Sequence, residues 1–112
     1  MVMLFLMMRS ERDMKSGFKV QWSSTARDEL NDVILYLSTE WTDREVTRLT
    51  RELERVLELL TINPYLFQKT GLDSVRRAVI LQLNSLFYHI DQDNKTVTIL
   101  HFFGNRQAPI KF

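Results

Sequence analysis

The residues of this 112-residue chain that could do chemistry are cations in its last third. They are Arg76, Arg77, His101 and Arg106. Guanidinium groups bind phosphate or carboxylate through paired N–H donors, and an imidazole can exchange a proton near neutral pH. These four residues are therefore our candidates for binding a phosphate or a partner's carboxylate, with His101 as the candidate general base.

The arginines also have structural interpretations. Arg76 and Arg77 are adjacent in an extended run, so their side chains point to opposite faces of the strand. One of them then lies on the core side or at the margin of the sheet, where it can pair with a helix carboxylate. Arg106 follows Gly104 and Asn105, where a turn can bring it back beside the sheet or leave it solvated.

His101 lies in an apolar run, where a histidine is more often a hydrogen-bonded packing residue than a general base. Both faces of this run are apolar, which predicts a central strand or one whose second face a partner covers. Strict alternation divides the run as follows: Val97, Ile99, His101 and Phe103 on one face, Leu100 and Phe102 on the other.

Composition argues against several other chemistries. The chain has no cysteine for a disulfide or a thiolate metal site, and three glycines are too few for a phosphate-binding loop. Its two histidines lack metal-ligand spacing, so we expect no metal and no cofactor. With 15 basic and 14 acidic residues, the net charge of +1 provides no general attraction to nucleic acid or to a membrane.

Periodicity predicts the elements that must position the candidate residues. Residues 18–22 alternate apolar and polar side chains, as a half-buried strand does. An amphipathic helix follows and ends near Trp41, and a second begins at the capping box formed by Thr42 and Glu45. The second helix ends at Asn63, because the residue before a proline avoids helical geometry. The connection between the helices is so short that they should form an antiparallel hairpin.

Three β-branched and aromatic runs come next, at residues 74–82, 86–90 and 96–103. Polar residues 84–85 and 91–95 separate them as predicted turns. Such short connections require antiparallel pairing. The predicted fold class is therefore α+β: an N-terminal strand, an antiparallel two-helix hairpin, and a three-stranded antiparallel meander that completes a small sheet.

Residues 1–13 differ in composition from the rest. They begin with eight apolar residues, fewer than the roughly 20 that span a bilayer, and no basic region precedes these residues as it would in a secretory signal. We interpret residues 1–13 as a disordered extension or a misassigned start, with Met14 as the natural start. Residues 14–112 then form one domain. A short extra strand or an oligomer contact is the alternative for the extension.

The order of these elements and several local motifs resemble the RelE/ParE superfamily of bacterial toxins. The resemblance extends over about residues 18–109. The matching residues are Trp22, Ser23, Ala26 and Leu30 at the first helix, Asn63 and Pro64 after the second, Val75, Arg76, Arg77, Val79 and Ile80, then Leu86, Phe87, Tyr88 and Ile90, and finally Val97, Ile99, Leu100, Phe102, Phe103, Arg106 and Gln107.

The resemblance implies a cytoplasmic toxin of a type II toxin–antitoxin system, with a role in plasmid stabilisation and growth inhibition. Its partner would be a cognate antitoxin that wraps and neutralises it. RelE-like members cleave mRNA in the decoding site of the ribosome, with cationic residues and often a C-terminal tyrosine. ParE-like members inhibit DNA gyrase by binding.

Two departures from the RelE-like pattern favour the ParE-like activity. Ser85 stands where RelE-like members usually have arginine, and residues 104–112 contain no tyrosine. We therefore expect a toxin that binds an essential target, DNA gyrase. The alternative is a RelE-like, ribosome-dependent mRNA endoribonuclease, so whether the chain is an enzyme stays open. For a nuclease the resemblance implies a catalytic set around the scissile phosphate, where a base, an acid and cations are needed: Arg76, Arg77, His101 and Arg106. The oligomeric state, a homodimer or a heterotetramer with the antitoxin, stays open as well.

The second helix has arginines at positions 44, 48, 51 and 55, interleaved with glutamates. This stripe is either a neutralised, solvated face with an Arg48–Glu52 pair, or part of a partner surface. Under the toxin hypothesis the antitoxin packs over apolar parts of the helices and of the final strand. The predicted partner-binding residues are Trp41, Arg48, Arg55, Leu100, Phe102 and Arg106.

Overall fold

The computed structural model describes residues 17–40 and 42–104, and it confirms the predicted α+β class. The interpretation of residues 1–13 falls outside these ranges. The elements in chain order are β1 (Lys19–Trp22), α1 (Ser24–Glu40), α2 (Asp43–Ile62), a 3₁₀ helix (Pro64–Leu66), β2 (Gln68–Lys69), β3 (Val75–Ile80), β4 (Asn84–Asp91) and β5 (Thr96–Gly104).

One five-stranded sheet has the strand order β1-β5-β4-β3-β2. The predicted meander of β3, β4 and β5 is antiparallel, and β1 pairs with β5 in parallel. Parallel pairing is available to β1 because the helices provide the long connection that it requires. β5 therefore lies between two strands, as its apolar faces predict. The short strand β2, which the sequence indicated only as loop, pairs with the start of β3.

Local hydrogen bonds set the helix ends where the sequence predicts them. The hydroxyl oxygen of Ser23 accepts from the N–H of Ala26 at 3.0 Å, just before α1. Thr42 caps α2, and its hydroxyl oxygen accepts from the N–H of Glu45 at 3.4 Å. Asn63 ends α2, with its N–H donating to the carbonyl of Leu59 at 2.8 Å. The starts of both helices and the end of α2 thus have hydrogen-bond partners for terminal polar groups.

The predicted turn at Asn84 and Ser85 is wrong. Both residues belong to β4 and are buried, and the turn occupies residues 81–83. Leu81 and Gln82 have φ angles of 54° and 62°, a region that non-glycine side chains rarely adopt. Pairing of Ile80 with Asn84 in the β3–β4 ladder sets this turn, and it overrides the turn preference of asparagine.

Both helices pack on one face of the sheet, and together they form a single core. α1 contributes Ala26 and Leu30, and α2 contributes a stripe that includes Leu53 and Leu60. The sheet residues that complete this core are Val20, Trp22, Ala78, Ile80, Leu86, Tyr88, Ile90, Val97, Ile99 and Phe102. The opposite face of the sheet receives no helix from the described residues.

A β-bulge in β5 changes which side chains reach each face. Tyr88 pairs with Ile99, but the preceding residue, Phe87, pairs with His101, which leaves Leu100 as the extra residue. Beyond Leu100, the alternation of β5 side chains between the two faces of the sheet is shifted by one residue. Phe102 therefore lies on the core face with Ile99, whereas His101 points to the opposite face. The prediction that His101 packs beside Val97 and Ile99 is wrong for this reason.

The phenol of Tyr88 is fully buried and donates to the carbonyl of Pro64 at 2.7 Å. Burial raises the pKa of Tyr88 well above its usual value of about 10, so the phenol is neutral in the folded protein. We expect Tyr88→Phe to lower the free energy of unfolding by about 1–3 kcal/mol, because the Pro64 carbonyl loses its donor.

Urea denaturation at pH 7 measures this change. Because the pKa of Tyr88 is higher in the folded than in the unfolded protein, its neutral phenol stabilises the fold at every pH below about 10, the pKa of an unfolded tyrosine. This contribution to the free energy of unfolding is lost as the pH rises above that value. Stability of the natural chain should thus fall as the pH rises past 10, and the Tyr88→Phe variant should lack this component. An unchanged pH profile would contradict the buried hydrogen bond.

Candidate functional site

The uncovered face of the sheet has two cross-strand rows at its centre. One row joins Arg77, Phe87 and His101, and the next joins Val79, Ser85 and Phe103. Val79 and Phe103 are each 39 % exposed, which leaves apolar surface in contact with solvent. We call the surface formed by Arg77, Val79, Phe87, His101 and Phe103 the outer face.

Aromatic contacts join these rows. The rings of Phe87 and Phe103 lie 5.6 Å apart, and the imidazole of His101 lies 5.8 Å from the ring of Phe103. The guanidinium of Arg77 lies 6.0 Å from the ring centre of Phe87, and its Nε donates to the hydroxyl of Ser85 at 3.0 Å. A cation thus borders a ridge of aromatic rings, an arrangement suited to contact with another macromolecule.

Glu29 of α1 holds the part of β5 that follows the bulge. β1 ends at Trp22, so within the described part of the chain no strand pairs with this edge of β5 beyond Ile99. A carboxylate oxygen of Glu29 accepts from the N–H of Phe102 at 2.9 Å, and both oxygens lie 3.3 Å from Nδ1 of His101. An ionised carboxylate only accepts, so this contact favours the proton on Nδ1 and leaves Nε2 facing outward.

Arg76 lies across the sheet from Arg77, as adjacent strand residues must. Its Nη1 donates to the carbonyls of Tyr65 and Phe67, at 3.1 and 2.8 Å. Its guanidinium also stacks over the ring of Tyr65, 5.2 Å from the ring centre. Arg76 therefore holds the 3₁₀ segment against the sheet, at the margin of the core.

The structure brings together only part of the predicted catalytic set. Arg77 and His101 share the outer face, Arg76 is on the other face, and Arg106 lies outside the described residues. Strands are about 4.8 Å apart, which puts the backbones of Arg77 and His101 about 10 Å apart with Phe87 between them.

The predicted partner-binding residues also separate. Phe102 is fully buried against the core, 6.5 Å from the ring of Trp22, so it cannot contact a partner on the folded surface. Leu100 is half-buried in the bulge, where its carbonyl accepts from the hydroxyl of Ser23 at 3.2 Å. Arg48 and Arg55 are exposed on α2. The remaining two, Trp41 and Arg106, lie outside the described residues.

Metal and membrane functions receive no support from residues 17–40 and 42–104. Within these residues no group of three histidine or acidic side chains could hold a metal ion. No described helix is both long enough and apolar enough to cross a bilayer.

Sequence reasoning missed Glu29, Phe87 and Phe103 as functional candidates. Phe103 was missed because strict alternation grouped it with Val97 and Ile99, two residues that are buried in the structure. No local signal around Leu100 indicates the bulge, so the contact of Glu29 with β5 could be found only from the fold. Ser85 was noted for the arginine that it replaces, and the structure adds that Arg77 donates to it.

We expect Glu29→Ala to lower the free energy of unfolding by about 1–2 kcal/mol, because the half-buried N–H of Phe102 loses its acceptor. Glu29→Gln keeps an acceptor oxygen and should cost less than half as much. Chemical denaturation of both variants measures the difference, with exposed Asp28→Ala as the matched control on α1. Equal losses for Glu29→Ala and Asp28→Ala would contradict this role.

Known proteins share this fold. The structure of the chromosomal ParDE TA system from P. aeruginosa superposes with a TM-score of 0.64 at 12 % identity, covering 78 % of this chain and 95 % of that chain. The toxin–antitoxin complex RelBE2 from Mycobacterium tuberculosis superposes with a TM-score of 0.56 at 21 % identity, covering 84 % and 98 %. At these identities the likeness shows the fold alone.

The sequence itself indicates the family. No curated protein sequence matches the chain significantly. A family model does match, described as the ParE toxin of the type II toxin-antitoxin system parDE, over residues 20–109. That match spans β1 to β5, and so includes every strand and helix described above. The chain therefore belongs to the ParE toxin family of type II toxin–antitoxin systems, within the RelE/ParE superfamily.

Proposed function

We propose that this toxin inhibits growth in the cytoplasm by binding an essential target, DNA gyrase, through its outer face. The observation that supports this most is the apolar character of that face. Val79, Phe87 and Phe103 form its centre, and Arg77 borders it. Exposed aromatic and apolar side chains beside an arginine are typical of the centre of a protein–protein interface.

The distribution of the cations argues against phosphodiester cleavage on this face. Nucleophilic attack by a 2′-hydroxyl needs a base, an acid and a cation to converge on one phosphate. On the outer face, Arg77 is hydrogen-bonded to Ser85, His101 faces Glu29, and the ring of Phe87 lies between them. Arg76 cannot join them, because it is on the opposite face and bonded to two backbone carbonyls.

A cognate antitoxin is the second partner that we propose. The two structural relatives named above are a ParDE toxin–antitoxin system and a RelBE2 toxin–antitoxin complex. An antitoxin that covers the outer face would exclude the target by direct competition. Arg48 and Arg55 on α2 are additional contacts, and the assembly would be a heterotetramer or a toxin homodimer bound by antitoxin.

The alternative is a RelE-like, ribosome-dependent mRNA endoribonuclease. One observation favours it: Arg77 and His101 do share a cross-strand row, and Nε2 of His101 faces outward. A ribosome could supply the missing groups around the phosphate. In that case Arg77 would stabilise charge on the phosphate and His101 would transfer the proton.

Two assays on the same protein separate the proposals. DNA supercoiling by purified gyrase should fall when the toxin is added, and primer extension on cellular mRNA after induction should show no toxin-dependent cuts. Phe103→Ala should abolish the inhibition, because it removes exposed contact surface with little effect on the core. Codon-linked mRNA cuts without loss of supercoiling would reject the gyrase proposal in favour of the nuclease.

A further inference from the structure

Arg44, Arg48, Arg51 and Arg55 lie on the exposed side of α2, opposite its buried leucines. At 3.6 residues per turn, these four positions fall within an arc of about 60° and extend over about 16 Å of helix axis. The four arginine positions therefore form one narrow line along the helix, which we call the arginine stripe.

Carboxylates flank this line closely. Glu45 and Glu52 lie on one side of the stripe and are half-buried. On the other side are half-buried Glu54 and exposed Glu58, the latter only about 20° around the helix from Arg51. Arg55 bonds Glu52 through two donors, at 3.1 and 2.7 Å, which lowers the pKa of Glu52; Arg48 adds a weaker attraction. Glu52 thus bonds to Arg55, and the predicted favourable interaction of Arg48 with Glu52 is present as the weaker attraction.

Arg44 and Arg51 form no hydrogen bond or ion pair with any other residue in the described ranges. Their positions do not stabilise the helix. Arg44 is the second residue of α2, where the helix dipole disfavours a cation, and the last turn contains no basic residue. Arginines spaced four apart also repel one another. These features raise the free energy of the isolated helix, and an anionic partner would offset that cost.

The chemistry of the stripe indicates the kind of partner. All four residues are arginine, whose planar fork suits carboxylate or phosphate better than lysine does. The flanking glutamates and the net charge of +1 disfavour a polyphosphate chain, which needs a broad basic surface. A partner helix with its own narrow line of carboxylates matches both the width and the spacing.

We propose that the arginine stripe binds an acidic helical segment of a partner protein, in which carboxylates recur at the same spacing of four, three and four residues. The inference rests on the proposed function for the existence of a protein partner, and it gives that partner a charge pattern. Its test is separate from the gyrase and mRNA assays, so either proposal can fail alone.

Two synthetic helical peptides of identical composition provide the test. One has glutamates at positions 1, 5, 8 and 12 on one face, and the other has them distributed around the helix. Fluorescence anisotropy with the full-length protein at low ionic strength should show about tenfold tighter binding of the first peptide. Raising the salt concentration should weaken this preference.

Substitutions localise the binding. Arg44→Gln with Arg51→Gln should remove most of the preference. A control that loses the same charge elsewhere, Lys19→Gln with Lys69→Gln, should retain the preference, because both lysines are exposed on strands of the sheet and not on the stripe. Equal affinity for the two peptides, no binding of either, or tighter binding of a single-stranded RNA oligonucleotide would each overturn the proposal.

Discussion

Replacing Phe102 with alanine should lower the free energy of unfolding by about 3–5 kcal/mol, the usual cost of removing a buried phenyl ring. Phe102 is fully buried, packs near Trp22 and belongs to the core formed by both helices and the sheet. Small domains are stable by only about 5–15 kcal/mol, so this variant should be largely unfolded at moderate urea concentration. Urea titration followed by far-UV circular dichroism measures the change.

Phe103→Ala is the matched control, because the same side chain is removed one residue further along the strand. Phe103 is 39 % exposed on the outer face, so its removal should cost less than about 1 kcal/mol. The two variants should fail in different ways. Phe103→Ala should fold normally and lose growth inhibition, whereas Phe102→Ala should lose stability. Similar stability losses would mean that the bulge at Leu100 is absent.

Arg76→Ala should destabilise the protein by about 2–3 kcal/mol, even though arginine is usually a surface residue. The substitution leaves the carbonyls of Tyr65 and Phe67 without a charged donor, and bonds to charged groups contribute about 1.5–3 kcal/mol before solvent exposure reduces them. It also removes the stacking on Tyr65. Arg76→Lys keeps the positive charge but loses the planar guanidinium group, so its stability should be intermediate.

Arg77→Ala provides the comparison at the adjacent position. It removes one hydrogen bond to Ser85 and the contact with Phe87, so we expect a loss of about 1 kcal/mol or less. Growth inhibition should nevertheless fall, because Arg77 borders the outer face. Thermal denaturation together with colony counts after induction separates the two effects. A toxic Arg77→Ala variant with normal stability would remove Arg77 from the proposed interface.

Prediction from sequence succeeded where the determining contacts are local. Thr42 and Asn63 form the helix ends as predicted, because each cap bonds to residues within four positions of itself. The turn before β5 is also local, with Asp91 accepting from both the N–H and the side-chain amide of Asn94. The capping hydroxyls of Ser23 and Thr42 also mark the starts of the two helices.

Prediction failed where distant strands set the register. Asn84 has the composition of a turn, but pairing with Ile80 and Gly104 makes it part of β4. The outward direction of His101 depends on one unpaired residue, Leu100, which no property of the run 99–103 distinguishes. A shift of one residue exchanges the two faces of a strand. The structure therefore confirms the predicted strand but places different side chains on its outer face than the sequence predicted.

The amino-acid sequence alone determined the class of this protein: a strand, two capped amphipathic helices and an antiparallel meander, with residues resembling the RelE/ParE toxins. Hydrophobic periodicity and capping chemistry are sufficient for that, since both depend on neighbouring residues. Only the tertiary structure decided that Arg77 lies on the same face as His101 and Phe103, and that Phe102 joins Ile99 in the core. The reason is that a face is defined by pairing across strands, and Glu29 of α1 supplies the bond that holds the bulged end of β5 in that register.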